Sequence, residues 1–327
     1  MNVFCRKKIM HYDIFNGDAD GIFALQQYRL DTPEPDAQLL TGVKRDIRLL
    51  SQVENLCNSS LTVFDISLDS NRTALVRLLA NNNRVVYFDH HFAGALPQSP
   101  LLQTFIDHSP DTCTSLIVDA ILAGKHCLWA ICGAFGDNLH QLACRYANDQ
   151  GLTQQQTGQL QELGELFNYN GYGTNLEDLH YHPADLFKAV QPHRNPFDFI
   201  AQSTELVILR SGYRDDIAAV MQVPAMQTPG KNRVYMLPAT PWARRVTGVF
   251  SNLRAREMTH AAHAVLSENN DTTLRISVRA PLDNRQGADT LCQLFPTGGG
   301  RAAAAGINSL PADQLDKFLE NFLSFYR

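Results

Sequence analysis

The sequence holds no CxxC pair: its seven cysteines stand singly at positions 5, 57, 113, 127, 132, 144 and 292. An odd, scattered set argues against a zinc ribbon or a disulfide framework and for reduced, mostly buried thiols. No apolar run approaches the roughly 18 residues a membrane span needs. The opening stretch MNVFCRKKIMHYDIF has charges but lacks the apolar segment of a secretory signal, so the cytoplasm is the expected location. Internal repeats and low-complexity tracts are also missing. An excess of basic residues is missing too: the net charge is −5. That excludes the many-phosphate grip of a protein that binds long DNA.

What is present fits an ordinary globular protein. Hydrophobic residues make up 44% and charged residues 19% of 327 residues, a length that suggests two domains. The charge is unevenly spread. From Lys231 to the end there are 12 Lys/Arg against 8 Asp/Glu, a net of +4, and the preceding 230 residues carry −9. Such a split suits a metal-binding part beside an anion-holding part, although charge alone also allows a chance asymmetry.

Over the first 140 residues, short β-branched or aromatic runs alternate with longer helix-like segments, the pattern of βαβ units around a mostly parallel sheet. Strands are expected near Tyr12–Phe15, Leu61–Phe64, Arg84–Phe88 and Leu128–Ile131. The first runs into Asn16-Gly17-Asp18-Ala19-Asp20-Gly21, the second into Asp65, the third into Asp89-His90-His91 and the fourth into Gly133 to Asp137-Asn138. In open α/β sheets the carboxyl ends of the strands share one edge, where ligands bind, so these distant clusters can converge. Thr112 and Ser115 lie at an expected helix start. A helix is expected from about Thr153 to Phe167, followed by a loop containing Tyr169 and Tyr172. A proline-bearing connector is expected over 196–230, within which Phe197 to Leu209 reads as helix or strand. Beyond it are a strand at Val234–Leu237, a helix over Val246–Ala264, a strand at Thr273–Val278, a glycine-rich loop at Gly298-Gly299-Gly300-Arg301 and a closing helix over Pro311–Phe325.

Asp18 and Asp20, two apart in a glycine-flanked loop, aim two carboxylates at one small volume. They repel unless a cation lies between them or one is protonated, and hard oxygen donors suit Mg²⁺ or Mn²⁺. Taken alone the loop also reads as a surface turn, because Asp and Gly are turn residues. Adjacent histidines at a strand end can both turn toward one edge, and they can also simply pack. The combination is what points to a metal centre.

The ordered set Asp18-x-Asp20, Asp65, Asp89-His90-His91 and Asp137 resembles the four motifs of the DHH phosphoesterase superfamily, and Gly298 to Arg301, Ala305-Gly306 and Arg279 resemble its DHHA1 substrate-binding domain. The resemblance spans most of the chain. It implies an α/β fold with a metal-binding catalytic domain over 1–195 and a smaller α/β domain over 231–327. It also implies two divalent ions, manganese foremost with magnesium as the alternative. By the same resemblance Asp18 ligates one ion, Asp20 the other, Asp65 bridges both, and His90 and Asp137 complete the second, with His91 facing the scissile phosphate. Paired cations about 3.5–4 Å apart activate water at neutral pH and stabilise both oxygens of an in-line displacement. Two departures stand out: Ile14 where many small members carry a histidine ligand, with Asn16 as a substitute donor, and Arg301 where many relatives have histidine.

The acidic chain argues against long single-stranded DNA, and the resemblance to small stand-alone DHH-DHHA1 enzymes implies short linear oligoribonucleotides as substrates, dinucleotides such as pGpG foremost, hydrolysed to mononucleotides. Arg279 and Gly298 to Arg301 would hold the 5′ phosphate, and Tyr169 or Tyr172 would stack on a base. Expected partners are thus a short oligoribonucleotide, with no long duplex and no membrane, and a homodimer is left open. An adenosine bisphosphate phosphatase, a RecJ-like single-strand exonuclease and a non-catalytic nucleotide binder are the alternatives.

Overall fold

A computed structural model describes residues 9–269 and 271–327, so Cys5 lies outside the described residues. The chain divides into two compact units, 1–210 and 211–327. The first is built on five parallel strands, β1 (His11–Phe15), β2 (Gln38–Thr41), β3 (Ser60–Phe64), β4 (Arg84–Asp89) and β5 (Leu102–Ile106), in the order β2-β1-β3-β4-β5. Its helices are α1 (Ala19–Asp31), α2 (Leu68–Ala80), α3 (Thr114–Ile121), α4 (Cys127–Gly136), α5 (His140–Asp149), α6 (Gln154–Gly171), α7 (Pro183–Val190) and α8 (Pro196–Gln202). Helix α9 (Thr204–Met221) carries the chain into the second unit.

Both faces of the parallel sheet are covered, which is why its strands read as nearly continuous apolar runs. Ile14, Leu61, Val63, Val85 and Tyr87 pack with Leu75, Leu78 and Leu79 of α2. The alternate residues Phe64, Phe88 and Phe105 stack in a row, with ring centroids 5.0 and 4.9 Å apart. Phe23 of α1 meets Trp129 of α4 and Phe167 of α6 at 5.3 and 4.9 Å. Each such buried ring contributes about 1.5–3 kcal/mol. The strand expected at Leu128–Ile131 is instead the core of helix α4, whose residues are almost all buried. A helix surrounded on every side is apolar all round, so it loses the periodicity that separates helix from strand. Helix α6 runs on to Gly171, so the expected loop around Tyr169 is its last turn. Residues Phe197 to Leu209, left open between helix and strand, are helical apart from the break at Ser203.

The second unit is a mixed sheet of β6 (Arg233–Leu237), β7 (His263–Glu268), β8 (Leu274–Arg279), β9 (Gly298–Arg301) and β10 (Ala304–Leu310), ordered β6-β7-β8-β10-β9. Its helices are α10 (Pro241–Glu257), α11 (Ala288–Cys292) and α12 (Leu315–Phe325). Ala264, Ile276, Val278, Ala305 and Ile307 form one apolar face, closed by Leu291 of α11 and Phe318 and Phe322 of α12. The helix expected over 246–264 ends at Glu257, and the alanine-rich segment after it becomes β7, where pairing with strands on both sides outweighs helix propensity. Gly298 to Arg301 is the edge strand of this sheet rather than a loop. Gly300 has φ +139°, and a Cβ there would lie 2.5 Å from the Cα of Ala305, so glycine is needed for the hairpin itself. No described helix is long and apolar enough to cross a membrane.

Candidate metal centre

The carboxyl ends of β1, β3 and β4 lie side by side, because β1 pairs with β3 and β3 with β4 in parallel register. Each ends on an acid-bearing turn. Asp18 is the N-cap of α1 and its Oδ1 accepts from the Gly21 amide at 3.1 Å. Asp65 follows β3 with φ 58°, a left-handed conformation that Asp tolerates better than most residues and that recurs at functional sites. Asp89 closes β4, wholly buried. Asp137 arrives from the C-cap of α4 rather than from a strand, and exposed Asn138 behind it adopts φ 63° where the helix ends.

These turns bring one imidazole among three acids. His90 Nε2 lies 3.4 Å from Asp65 Oδ1 and 3.9 Å from Asp137 Oδ2. Donor atoms of Asp20, His90 and Asp137 fall within 4.8 Å of one another, as do those of Asp65, His90 and His91. The Asp20 carboxylate is fixed from behind by α3: Oδ2 accepts from the Thr114 amide at 2.8 Å and Oδ1 from the Ser115 amide at 2.7 Å. The same turn sends the Thr114 hydroxyl to Asp65 Oδ1 at 2.9 Å. That approach requires Gly133 on α4, where a Cβ would sit 2.2 Å from Ser115 Oγ. Asp89 holds His91 at the edge of the cluster: its Oδ1 accepts from the His91 amide at 3.1 Å and pairs with His91 Nδ1 at 2.7 Å, and that Nδ1 lies 4.0 Å from Asp65 Oδ1.

The electrostatics are those of a cation site. Burial, with Asp20 and Asp18 nearby, drives the Asp65 carboxyl well above the ordinary range. Burial and Asp20 likewise push Asp137 up to about 6. His90 is also raised, from the opposite cause: burial would lower its pKa, but Asp65, Asp20 and Asp137 overcome that and raise it to about 10. The acids thus favour positive charge at this position; a divalent ion would take the place of the His90 proton, since only the neutral ring donates, and this oxygen-rich set with imidazole fits Mn²⁺ or Mg²⁺.

Asp18 stands differently. It is absent from both donor groups; its Oδ2 instead meets Lys44 Nζ at 2.5 Å. Burial would raise Asp18, but the Lys44 ammonium prevails and holds it low. Asn16 is buried and donates from Nδ2 to the Lys44 carbonyl at 3.3 Å, while its Oδ1 makes no hydrogen bond.

The structure constrains three of the sequence candidates. Tyr169 is only 1% exposed and its hydroxyl pairs with His180 Nε2 at 2.8 Å, so it is not placed to stack on a base. Tyr172, partly exposed, sits instead beneath the Lys44 ammonium, 5.4 Å from the ring centroid. Thr112 spends its amide on the Ser109 carbonyl, and its neighbours Thr114 and Ser115 make the contacts to Asp20. Thr114 has a signal in the sequence, as part of the Thr-Ser pair that opens a helix, whereas Lys44, a lone lysine in a loop, has none.

In the second unit Arg279 on β8 and Arg301 on β9 are both register partners of Ala304 on β10. Directly paired residues share a face, so the two arginines flank one small side chain, about 10 Å apart across two strand spacings. Arg279 is steadied by Asn252 of α10 at 2.8 Å and Ser277 at 2.9 Å, whereas Arg301 is exposed. Gly298 is forced by packing, since a Cβ would meet the Cys292 carbonyl at 1.8 Å, while Gly299 has open space where a Cβ would be.

No family model matches the sequence, and no curated protein matches it by sequence. Solved structures do match. A DHH-domain protein described as a member of a family of ribosomal proteins aligns at TM-score 0.65 and 12% identity, over 97% of this chain and 86% of its own. The exonuclease RecJ bound to manganese aligns at TM-score 0.63 and 15% identity, over 97% and 90%. A pGpG-specific phosphodiesterase, PggH from Vibrio cholerae, aligns at TM-score 0.53 and 12% identity, over 97% and 98%. The chain therefore has the fold of DHH-domain proteins, a parallel α/β sheet followed by a second, mixed-sheet unit. Its structural neighbours within that fold include RecJ and PggH.

Proposed function

We propose that this protein is a divalent-metal-dependent phosphodiesterase that hydrolyses short linear oligoribonucleotides, 5′-phosphorylated dinucleotides such as pGpG foremost, to mononucleotides. The observation that carries this reading is the convergence of Asp20, Asp65, His90 and Asp137, from turns far apart in sequence, on one partly buried volume. Asp20, Asp65, His90 and Asp137 would hold the metal, Mn²⁺ or Mg²⁺. A bound divalent ion supplies Lewis-acid polarisation of a phosphoryl oxygen and a water that ionises near neutral pH. The chain supplies the rest. The Thr114 and Ser115 amides fix Asp20, the Thr114 hydroxyl fixes Asp65, and Asp89 presents His91 toward the phosphate.

Arg279 and Arg301, flanking Ala304, are the candidate clamp for a terminal phosphate, with Gly299 leaving room for close approach. Two guanidiniums can grip one phosphate by paired charge-assisted hydrogen bonds. The substrate preference is supported by this basic row and by the fold shared with PggH. Incubation with Mn²⁺ and a panel of pGpG, other dinucleotides, longer RNA, cyclic diguanylate and adenosine bisphosphate tests the reading, with mononucleotides from pGpG as the expected product. Arg301→Ala is expected to cut turnover of pGpG by about 10- to 100-fold, the worth of one charge-assisted contact, and to spare GpG, which has no terminal phosphate. Equal loss on both would remove the clamp. No turnover above an Asp65→Ala control at any metal level would make the protein a nucleotide binder instead.

A further inference from the structure

Lys44 lies in the loop after β2, apart from every motif, yet its ammonium is built into the centre. Its side chain is 25% exposed. The backbone is pinned on both sides: the amide donates to the Gly171 carbonyl at 2.9 Å and the carbonyl accepts from Asn16 Nδ2 at 3.3 Å. From there Nζ reaches Asp18 Oδ2 at 2.5 Å, Asn168 Oδ1 at 2.9 Å and Asp137 Oδ1 at 4.0 Å, over the face of Tyr172. Three separate segments thus converge on one cation. Burying an ammonium costs several kcal/mol unless such partners surround it, so this is a specified position rather than a surface pair.

What sets Asp18 apart from Asp20 is a cation: its Oδ1, like the Asp20 oxygens, accepts from a backbone amide, that of Gly21, but its Oδ2 pairs with the Lys44 ammonium. The residue four before Asp18 is Ile14, fully buried in the apolar core, which offers no donor atom. On the other side, two donor groups share His90, one with Asp20 and Asp137 and one with Asp65 and His91. The acidic volume therefore has one end suited to a divalent ion and one end already filled by a positive charge.

We infer that the Lys44 ammonium stands permanently in place of one of two metal ions, so that this centre binds a single divalent ion per chain. The inference rests on the metal reading above and refines it. An ammonium brings one charge and three hydrogen-bond donors, which can hold a phosphoryl oxygen, but it cannot ionise water as a Lewis acid does. Water activation is then confined to the His90 end, and Lys44 contributes by stabilising charge on the phosphate.

The test is a count of bound ions, by equilibrium Mn²⁺ titration of the full chain with elemental analysis and electron paramagnetic resonance. The native protein is expected to bind one Mn²⁺ with the spectrum of an isolated ion. Lys44→Ala, which clears Asp18, is expected to bind two with a spin-coupled spectrum. Without metal it is also expected to unfold at a lower temperature than the native protein, since Asp18 loses its counter-charge, and to be stabilised more by Mn²⁺. Two ions in the native protein would overturn the inference and leave the metallo-hydrolase reading intact. One ion in folded Lys44→Ala would also overturn it. No bound ion in the native protein would overturn both readings together. Lys44→Gln, which keeps a polar side chain of similar reach, serves if the alanine variant does not fold, and the native count decides in either case.

Discussion

In the parallel sheet, Asp20, Asp65 and His90 meet because the turns after β1, β3 and β4 open at one common edge. In the mixed sheet, Arg279 and Arg301 meet because each is paired in register with Ala304. The first assembly depends on strand direction and tolerates any length of chain between contributors. The second depends on register, where a slip of one residue would send an arginine to the opposite face. Each unit also holds an imidazole withdrawn from water, His90 largely and His263 wholly, with opposite results. His90, among carboxylates, is raised to about 10. His263 is wholly buried, neither ring nitrogen makes a hydrogen bond of normal geometry, and its desolvation, with Arg233 and Arg254 nearby, lowers it to about 4. Burial alone disfavours the charged ring; the neighbouring acids at His90 reverse that and mark a position that favours positive charge, which a metal would supply.

Three substitutions probe this contrast. The largest effect is expected from Asp65→Ala, which removes the carboxylate next to His90. Hydrolysis of pGpG should fall by about 10³-fold or more, roughly 4 kcal/mol of transition-state stabilisation, with circular dichroism unchanged. Residual activity within about tenfold of native would show that the strand-edge cluster is not the reactive centre.

The second is His263→Leu. The ring is neutral in the folded chain down to about pH 4 but takes up a proton near pH 6.5 when unfolded. Between those values the unfolded state therefore binds more protons, and stability falls as pH falls through that window, with no contribution above it. Urea titrations at pH 7 and pH 4.5 should show the native protein losing about 2–3 kcal/mol more than the leucine variant on acidification. An equal loss in both would mean that His263 is not held neutral.

The smallest effect is expected from Thr114→Val, which deletes the hydroxyl held by Asp65 and keeps the helix. Mn²⁺ affinity should weaken by about tenfold, the usual scale for a partner one step behind a ligand. Isothermal titration calorimetry reads it directly, and unchanged affinity would mean that Asp65 needs no such support.

Much of the first unit is legible in the sequence. Runs such as Val85-Val86-Tyr87-Phe88 are short, β-branched or aromatic and bounded by acids or glycine, so three strands and the turns after them can be placed without coordinates. The segment Leu128 to Ile131 misleads because a helix buried on all sides has no polar face to betray its period. Tyr169 misleads because Asn-Tyr-Asn-Gly has loop composition, yet here it is a buried last turn. Lys44 and the pairing of Arg279 with Arg301 are illegible for another reason. They arise from tertiary approach and strand register, and neither is written within any local stretch of chain.

The two amides at the start of α3 carry a consequence beyond geometry. Asp20 anchors that helix through the very oxygens that a divalent ion would polarise. Filling the centre must therefore weaken its hold on the protons of Thr114 and Ser115. Those protons form a resident gauge of occupancy: their chemical shifts and exchange rates report loading in the intact protein with no substrate and no label at the site.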